Sequence, residues 1–315
     1  MDNAGTNMFN IALCTNAGFS VHLSVAIESL LRNTNLECHF FIIYSSMDSN
    51  AQADIEKTVA LERYSCTGKL LKNQVTFVNY NPEKDLTDEN GTLLVPSFRN
   101  SLDNYSRIFF PRLLKEYGIS RVLYIDGDIV ANSNIDEIFT TLNTIKTLGG
   151  ATELTFNNSD KFFINSGVLL MNLEGLERIN FIERCLSYMK KMYPKCPHDQ
   201  AIINAVMTPE EKELVPGAYN CCTSKKELYE KAKFIHYTGS FKPWIYNARW
   251  RNKKIIWYRY YLINKKVLKG EKVNLRSIDR YISFLKFIRP LLNVPIIISE
   301  RVFNKRYIPI NVNIE

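Results

Sequence analysis

Val122-Leu123-Tyr124-Ile125-Asp126-Gly127-Asp128-Ile129-Val130 is a hydrophobic run that stops at two carboxylates bracketing one glycine. Its apolar, β-branched beginning predicts a buried strand over Arg121 to Ile125. Extended backbone sends alternate side chains to one face, so Asp126 and Asp128 can converge on a single hard cation, for which carboxylate oxygen is a fitting ligand. Gly127 between them would let a ligand approach the backbone closely. A D-x-D arises by chance about once in a chain of this length, so its position matters more than its presence. The carboxyl end of an inner strand is where parallel sheets bind ligands.

Upstream of this run, apolar strands alternate with helical patterns. Phe9 to Cys14, Cys38 to Tyr44 and Val75 to Tyr80 read as strands. Ser20 is placed to cap a helix whose inner face includes Leu23, Ile27, Leu30 and Leu31. Asp48 to Leu61 reads as a second helix, and Tyr105 to Tyr117 as a third that ends at Gly118. Downstream, Thr147 to Ala151, Phe162 to Leu173 (interrupted at Gly167) and Lys233 to His236 read as strands, and Leu176 to Met192 and Gln200 to Met207 as helices. Continuous apolar strands separated by helices predict an α/β fold: a mostly parallel, Rossmann-like central sheet flanked by helices.

The chain has 315 residues, 46% hydrophobic and 23% charged, which excludes wholesale disorder, collagen-like repetition and a disulfide-stapled mini-protein. Its net charge of +8 is unevenly spread, because residues 249–315 hold sixteen Lys or Arg against four acids. The expected division is a catalytic body over 1–248 and a basic, aromatic, mainly helical segment over 249–315. Within that segment Leu275, Ile278, Tyr281, Ile282, Leu285 and Ile288 recur at helical spacing among Arg276, Arg280, Lys286 and Arg289. Such a helix suits an anionic bilayer surface, and equally a helical pair packed on the body. Seven cysteines with no CxxC and no zinc spacing fit a reducing compartment. No secretory signal or membrane-spanning run is visible, so the expected location is cytoplasmic, at the inner face of the membrane.

A second constellation is Phe234-Ile235-His236-Tyr237-Thr238-Gly239-Ser240-Phe241-Lys242-Pro243-Trp244. His236 ends a short strand and offers a nitrogen ligand to the same cation. Gly239 and Lys242 follow in a loop, where a lysine is a point charge suited to phosphate. His22, His39, Cys221 and Cys222 read as structural, and Glu153 is given no firm role.

Five stretches now fall into one order: NIALCTNAGFSVHLSVAIESLL, NYSRIFFPRLL, RVLYIDGDIVANSNIDEIF, FFINSGVLLMNLEGL with HDQAIINAV, and FIHYTGSFKPW. In these the sequence resembles glycosyltransferase family 8, retaining sugar-nucleotide transferases of GT-A fold that include bacterial lipopolysaccharide galactosyl- and glucosyltransferases and glycogenin. The resemblance implies that Asp126, Asp128 and His236 bind Mn²⁺, with Mg²⁺ as a substitute, and that the metal bridges the phosphates of a UDP-sugar. It implies further that Gly239 and Lys242 meet the diphosphate, that Arg107 lies near the donor, and that Cys14 and Asn16 occupy the uridine loop. Asn165, Asp199 and Gln200 match positions facing the transferred sugar. The implied donor is UDP-galactose or UDP-glucose, and the implied acceptor a cell-surface glycan or glycolipid such as lipopolysaccharide. Retention is compatible with a covalent intermediate or with front-face attack. With no carboxylate identified as nucleophile, the front-face route is expected, with the Gln200 carbonyl stabilising positive charge on the sugar.

Two other readings compete. A hydrophobic strand followed by DxDxV is also the nucleophile motif of haloacid dehalogenase-type phosphohydrolases, but the later acids Asp136, Asp160, Asp199 and Asp279 stand isolated where that chemistry needs a pair. A non-enzymatic polyanion binder would use the basic aromatic tail. No recognised nucleic-acid motif accompanies that tail, and no nucleic-acid partner is expected.

Overall fold

A computed structural model describes residues 8–97, 101–152, 162–222, 231–239, 242–244 and 254–292. Glu153, Ser240, Phe241, the boundary at residue 248 and everything after Leu292 lie outside them. The first part of the chain forms β1 (Phe9–Thr15), α1 (Ser20–Arg32), β2 (Cys38–Tyr44), α2 (Ser49–Ala60), β3 (Arg63–Tyr64), β4 (Leu70–Leu71), β5 (Gln74–Asn79) and α3 (Glu83–Leu86). The middle forms α4 (Phe110–Leu113), β6 (Arg121–Ile125), β7 (Ile129–Ala131), α5 (Asp136–Thr144), β8 (Leu148–Thr152), β9 (Ile164–Asn172), α6 (Leu173–Arg178) and α7 (Phe181–Met192). The remainder forms α8 (Asp199–Val206), β10 (Lys212–Val215), β11 (Cys221–Cys222), β12 (Phe234–His236), α9 (Lys254–Leu268) and α10 (Leu275–Leu292).

Seven strands make the main sheet in the order β10-β8-β9-β6-β1-β2-β5. All neighbours are parallel except β9, which runs antiparallel to both β6 and β8. Both faces are covered, which explains the unbroken apolar character of the central strands. Phe41, Tyr124, Leu169 and Met171 face one core; Leu13, Phe40, Leu123 and Val168 face the other with Leu23, Ile27 and Leu30 of α1. Each such side chain contributes roughly 1.5–3 kcal/mol by leaving water.

A second, three-stranded sheet in the order β11-β12-β7 positions the site. The chain leaves β6 at Ile125, passes Asp126-Gly127-Asp128 and enters β7 at once. Strand β12 pairs antiparallel with β7 so that His236 faces Ile129, the residue after Asp128. This register carries a residue more than a hundred positions downstream to the two carboxylates.

Four expectations are corrected. Tyr105 to Tyr117 is not one helix but 3₁₀ turns over Asp103–Phe109 and Lys115–Tyr117 flanking α4. Pro111 lacks the N–H a continuing helix requires and is tolerated only in a first turn. Leu176 to Met192 is divided between α6 and α7 at Asn180, whose φ of 50° is left-handed. Ser20 is the first residue of α1 rather than its cap; Phe19 holds the cap position. Gly167 does not interrupt its strand, since β9 runs through it.

The apolar side of the C-terminal helices is buried against the body. Trp257, Tyr258, Tyr260 and Ile263 of α9 and Ile278, Ile282 and Leu285 of α10 share a third core with Val25, Val130, Ile235 and Tyr237. Ile278, Ile282 and Leu285 of the periodic stripe in α10 therefore face protein, whereas Leu275 is exposed. Phe284 and Phe287 stay exposed, at 45% and 71%.

Candidate functional site

The junction of the two sheets gathers Asp126, Asp128 and His236, with one ligand atom from each lying within 4.8 Å of the others. His236 Nε2 is 3.3 Å from Asp128 Oδ1 and 3.6 Å from Asp126 Oδ2. Asp128 Oδ1 is buried and makes no well-directed hydrogen bond; it faces that imidazole. Two carboxylates, one of them with a buried oxygen that no hydrogen bond satisfies, and one imidazole form a donor set that fits a hard or borderline divalent cation.

Protein charges balance the cluster. Burial alone would lower the His236 pKa, but the facing Asp128 carboxylate, with Asp126 beyond it, raises it to about 10. The Asp128 carboxyl is pushed the other way: burial would raise its pKa, and His236 and Lys242 together hold it well below the usual carboxylate range. Lys242 Nζ forms an ion pair with Asp128 Oδ2 and donates to the Tyr237 carbonyl at 2.7 Å. Gly239, two residues after Tyr237, takes a left-handed φ of 74°. Tyr237 N–H also donates to the Asp128 carbonyl at 3.1 Å, so its backbone holds both charged partners.

Glycines shape the pocket by what they leave out. A Cβ on Gly167 would stand 2.1 Å from His236 Cε1, so only glycine lets the imidazole lie against β9. A Cβ on Gly127 would meet the Phe19 ring at 2.8 Å, which gives that glycine a packing role beside the ligand approach inferred for it.

On the other side of Asp126 lies Arg107, 5% exposed. It donates to Asp126 Oδ1 at 2.9 Å, to the Ser166 carbonyl at 2.6 Å and to the Asn104 carbonyl at 2.9 Å, and its Nε is 3.4 Å from Asp199 Oδ2. Burial opposes its charge and Asp126 overcomes that, keeping the guanidinium cationic. Tyr124 also donates to Asp126 Oδ1. Arg107 is thus a buried strut between the two carboxylates.

Asn165, Asp199 and Gln200 meet beyond the strut. Asn165 Nδ2 and the Ser166 N–H each donate to Gln200 Oε1 at 3.1 Å, and Asn104 Nδ2 donates to Asp199 Oδ1 at 2.8 Å. Cys14 lies near the end of β1, its thiol pushed up by burial and eased by Arg107, with Asp103, Asp126 and Asp199 in its surroundings. Asn16, just after β1, donates to Asp103 Oδ2 at 3.1 Å. All twelve residues singled out from the sequence line this junction or the loops at the carboxyl ends of β1 and β12. Sequence reasoning missed Asn104, Ser166 and Asn220, although the first two lie within NYSR and INSG. His22, read as structural, stacks on Trp244 at 3.7 Å behind the site, and burial lowers its pKa to about 3.

The profile of Glycosyl transferase family 8 matches residues 10–248. The chain belongs to that family. Family 8 membership makes it a glycosyltransferase and leaves the phosphohydrolase reading unsupported. It is 26% identical to the lipopolysaccharide 1,2-glucosyltransferase of Escherichia coli over 83% of this chain and 88% of that one. It is 22% identical to general stress protein A of Bacillus subtilis over 77% and 89% of the two chains. The structure superposes on galactosyltransferase LgtC bound to donor and acceptor sugar analogs with a TM-score of 0.63 and 17% identity, covering 84% of this chain and 97% of that one. GlyE of Streptococcus pneumoniae TIGR4 gives a TM-score of 0.58 at 15% identity, over 83% and 63%. These likenesses establish the GT-A architecture of this family 8 enzyme.

Proposed function

We propose that this glycosyltransferase moves galactose or glucose from UDP-galactose or UDP-glucose to a cell-surface glycan, of which lipopolysaccharide is one example, with retention and at the inner face of the membrane. The observation that supports a nucleotide-diphosphate donor is the meeting of Asp126, Asp128, His236 and Lys242 at the carboxyl end of β6. A Mn²⁺ or Mg²⁺ ion held by Asp126, Asp128 and His236 would supply Lewis-acid stabilisation of the charge that builds on the UDP leaving group.

The chain's own residues do the rest. Lys242 presents a fixed ammonium beside the same pocket, suited to a phosphate oxygen as the anomeric C–O bond breaks. Arg107 holds Asp126 and Asp199 at fixed separation. Gln200 Oε1 already accepts from Asn165 and Ser166, which suits an oxygen that stabilises positive charge better than one that forms a bond. Asp199, paired with Arg107 and Asn104, is placed to accept from sugar hydroxyls. These features support front-face attack, in which the departing phosphate takes the acceptor proton.

Membrane association rests on Phe284 and Phe287, exposed on α10 with Arg276 and Arg280. Among the described residues no helix is long and apolar enough to cross a membrane. Because α9 and α10 share a core with the body, point changes test this better than truncation. The Phe284→Glu/Phe287→Glu variant should no longer co-float with vesicles of anionic lipid; unchanged flotation rejects the surface.

Mn²⁺-dependent release of UDP from a panel of UDP-sugars tests the activity. Hydrolysis limited to UDP-galactose or UDP-glucose, and lost about 10²–10³-fold in Asp128→Ala, is the expected result. Full turnover in that variant rejects the site.

A further inference from the structure

We infer that Asn220 is a positioning residue that joins the metal-binding imidazole to the sugar-facing amides in one hydrogen-bonded chain, His236–Asn220–Asn165–Gln200. The inference rests on the divalent-cation reading of Asp126, Asp128 and His236.

Backbone donors set the polarity of this chain, because a main-chain N–H can only donate. Gly167 N–H donates to Asn165 Oδ1 at 2.9 Å, and Ser166 N–H donates to Gln200 Oε1 at 3.1 Å. The Asn165 amide is therefore oriented with its nitrogen toward Gln200, which it meets at 3.1 Å. Asn165 Oδ1 then requires a donor from Asn220, and Asn220 Nδ2 supplies it at 2.7 Å. Only Oδ1 of Asn220 remains for His236, at 2.9 Å from Nδ1. An acceptor at that position requires the proton on Nδ1 and leaves Nε2, the nitrogen facing Asp126 and Asp128, as the ligating atom. Asn220 is 3% exposed and His236 4%, so water does not substitute for these bonds cheaply.

Two main-chain N–H groups of β9 thus select the imidazole tautomer through three amides. The same chain fixes Gln200. Displacing Asn220 should loosen cation binding and the sugar-facing residues together, which separates this role from that of an isolated orienting partner.

Three variants test it by Mn²⁺ titration, read as loss of the free-ion electron-spin signal, with circular dichroism to confirm folding. Asn220→Ala removes both links and should weaken Mn²⁺ binding about 10–100-fold. Asn220→Asp keeps an acceptor for Nδ1 and should bind Mn²⁺ within about threefold of wild type. It has no donor for Asn165, so its hydrolysis of UDP-galactose or UDP-glucose at saturating Mn²⁺ should fall at least about tenfold in kcat. Asn165→Ala lies one link further from the ion and should weaken Mn²⁺ about 3–10-fold without touching a ligand. Asn220→Asp binding as poorly as Asn220→Ala, wild-type kcat in Asn220→Asp, or wild-type affinity in Asn165→Ala overturns the chain. Should Asn220→Ala fail to fold, the other two variants decide. A wild-type protein that binds no Mn²⁺ removes the cation reading and this inference with it. Wild-type binding that survives Asp128→Ala moves the ion elsewhere and has the same consequence.

Discussion

Arg107 Nη2 donates to Asp126 Oδ1 at 2.9 Å, while Oδ2 of the same carboxylate faces His236 Nε2 at 3.6 Å. One oxygen is held by Arg107 and the other is turned toward the imidazole. Arg107→Ala would leave Asp126 and Asp199 without their shared buried counter-ion. The expected cost is about 3–5 kcal/mol of stability, measured as a lower urea midpoint with an unchanged slope. Arg107→Lys supplies charge without the planar fork and should recover only part of that loss. A midpoint unaffected in both variants would remove the strut.

Stability of the metal-free protein should pass through a maximum near pH 6.5. His236 is raised from 6.5 to about 10, so its contribution is complete below 6.5 and is lost as pH climbs through about 10. His22 is lowered from 6.5 to about 3 by burial, so its neutral form costs stability progressively as pH falls below 6.5. Asp128, with its pKa depressed, contributes above the ordinary 3.8 and is lost only in stronger acid. Thermal melts in chelator from pH 5 to 10 should show this dome, with a fall of about 2–8 °C on the alkaline side. Mn²⁺ affinity should rise with pH over the alkaline half, because the ion must displace the Nε2 proton. An alkaline limb that rises would contradict the pairing of His236 with Asp128.

Gly167→Ala forces a methyl group to within 2.1 Å of His236 Cε1. Overpacking of this kind costs about 1–3 kcal/mol, and the ring must leave its place beside the carboxylates. Mn²⁺ affinity should drop at least about tenfold. Gly239→Ala meets no atom within 4 Å and strains only a φ of 74°, about 1–2 kcal/mol, and serves as the comparison. Equal effects on affinity would mean that contact with His236 is not the reason for glycine at 167.

Legibility in the sequence followed how local each feature is. Ile11, Phe40 and Leu123 belong to apolar runs whose burial on both faces is visible residue by residue, so the central sheet could be anticipated. Asp126 and Asp128 end one such run and His236 another, which made their convergence readable once the motifs were in order. The split of the Tyr105–Tyr117 segment is also written in the sequence, in Pro111. Asn220 left no local trace: its partners are chosen by the register of β11 on β12 and by a 3₁₀ turn over Gly217–Asn220. The apolar stripe of α10 showed its periodicity but not its partner, and that partner is the body of the protein.

Tyr237 Oη accepts from the Trp257 N–H in the first turn of α9 at 3.3 Å. The bond ties the start of α9 to the residue that follows β12. Tyr237→Phe should cost about 0.5–1.5 kcal/mol, visible as a lower midpoint in urea. An unchanged midpoint would mean that the hydroxyl adds nothing to the anchoring of α9.

The residue that grips Asp128 and Lys242 through its backbone is therefore also the socket of the C-terminal helices. Enzyme engineers who splice a different tail onto this catalyst would also be altering the support of the Asp128–Lys242 ion pair. A workable graft must bring a helix whose first turn can reach that phenol.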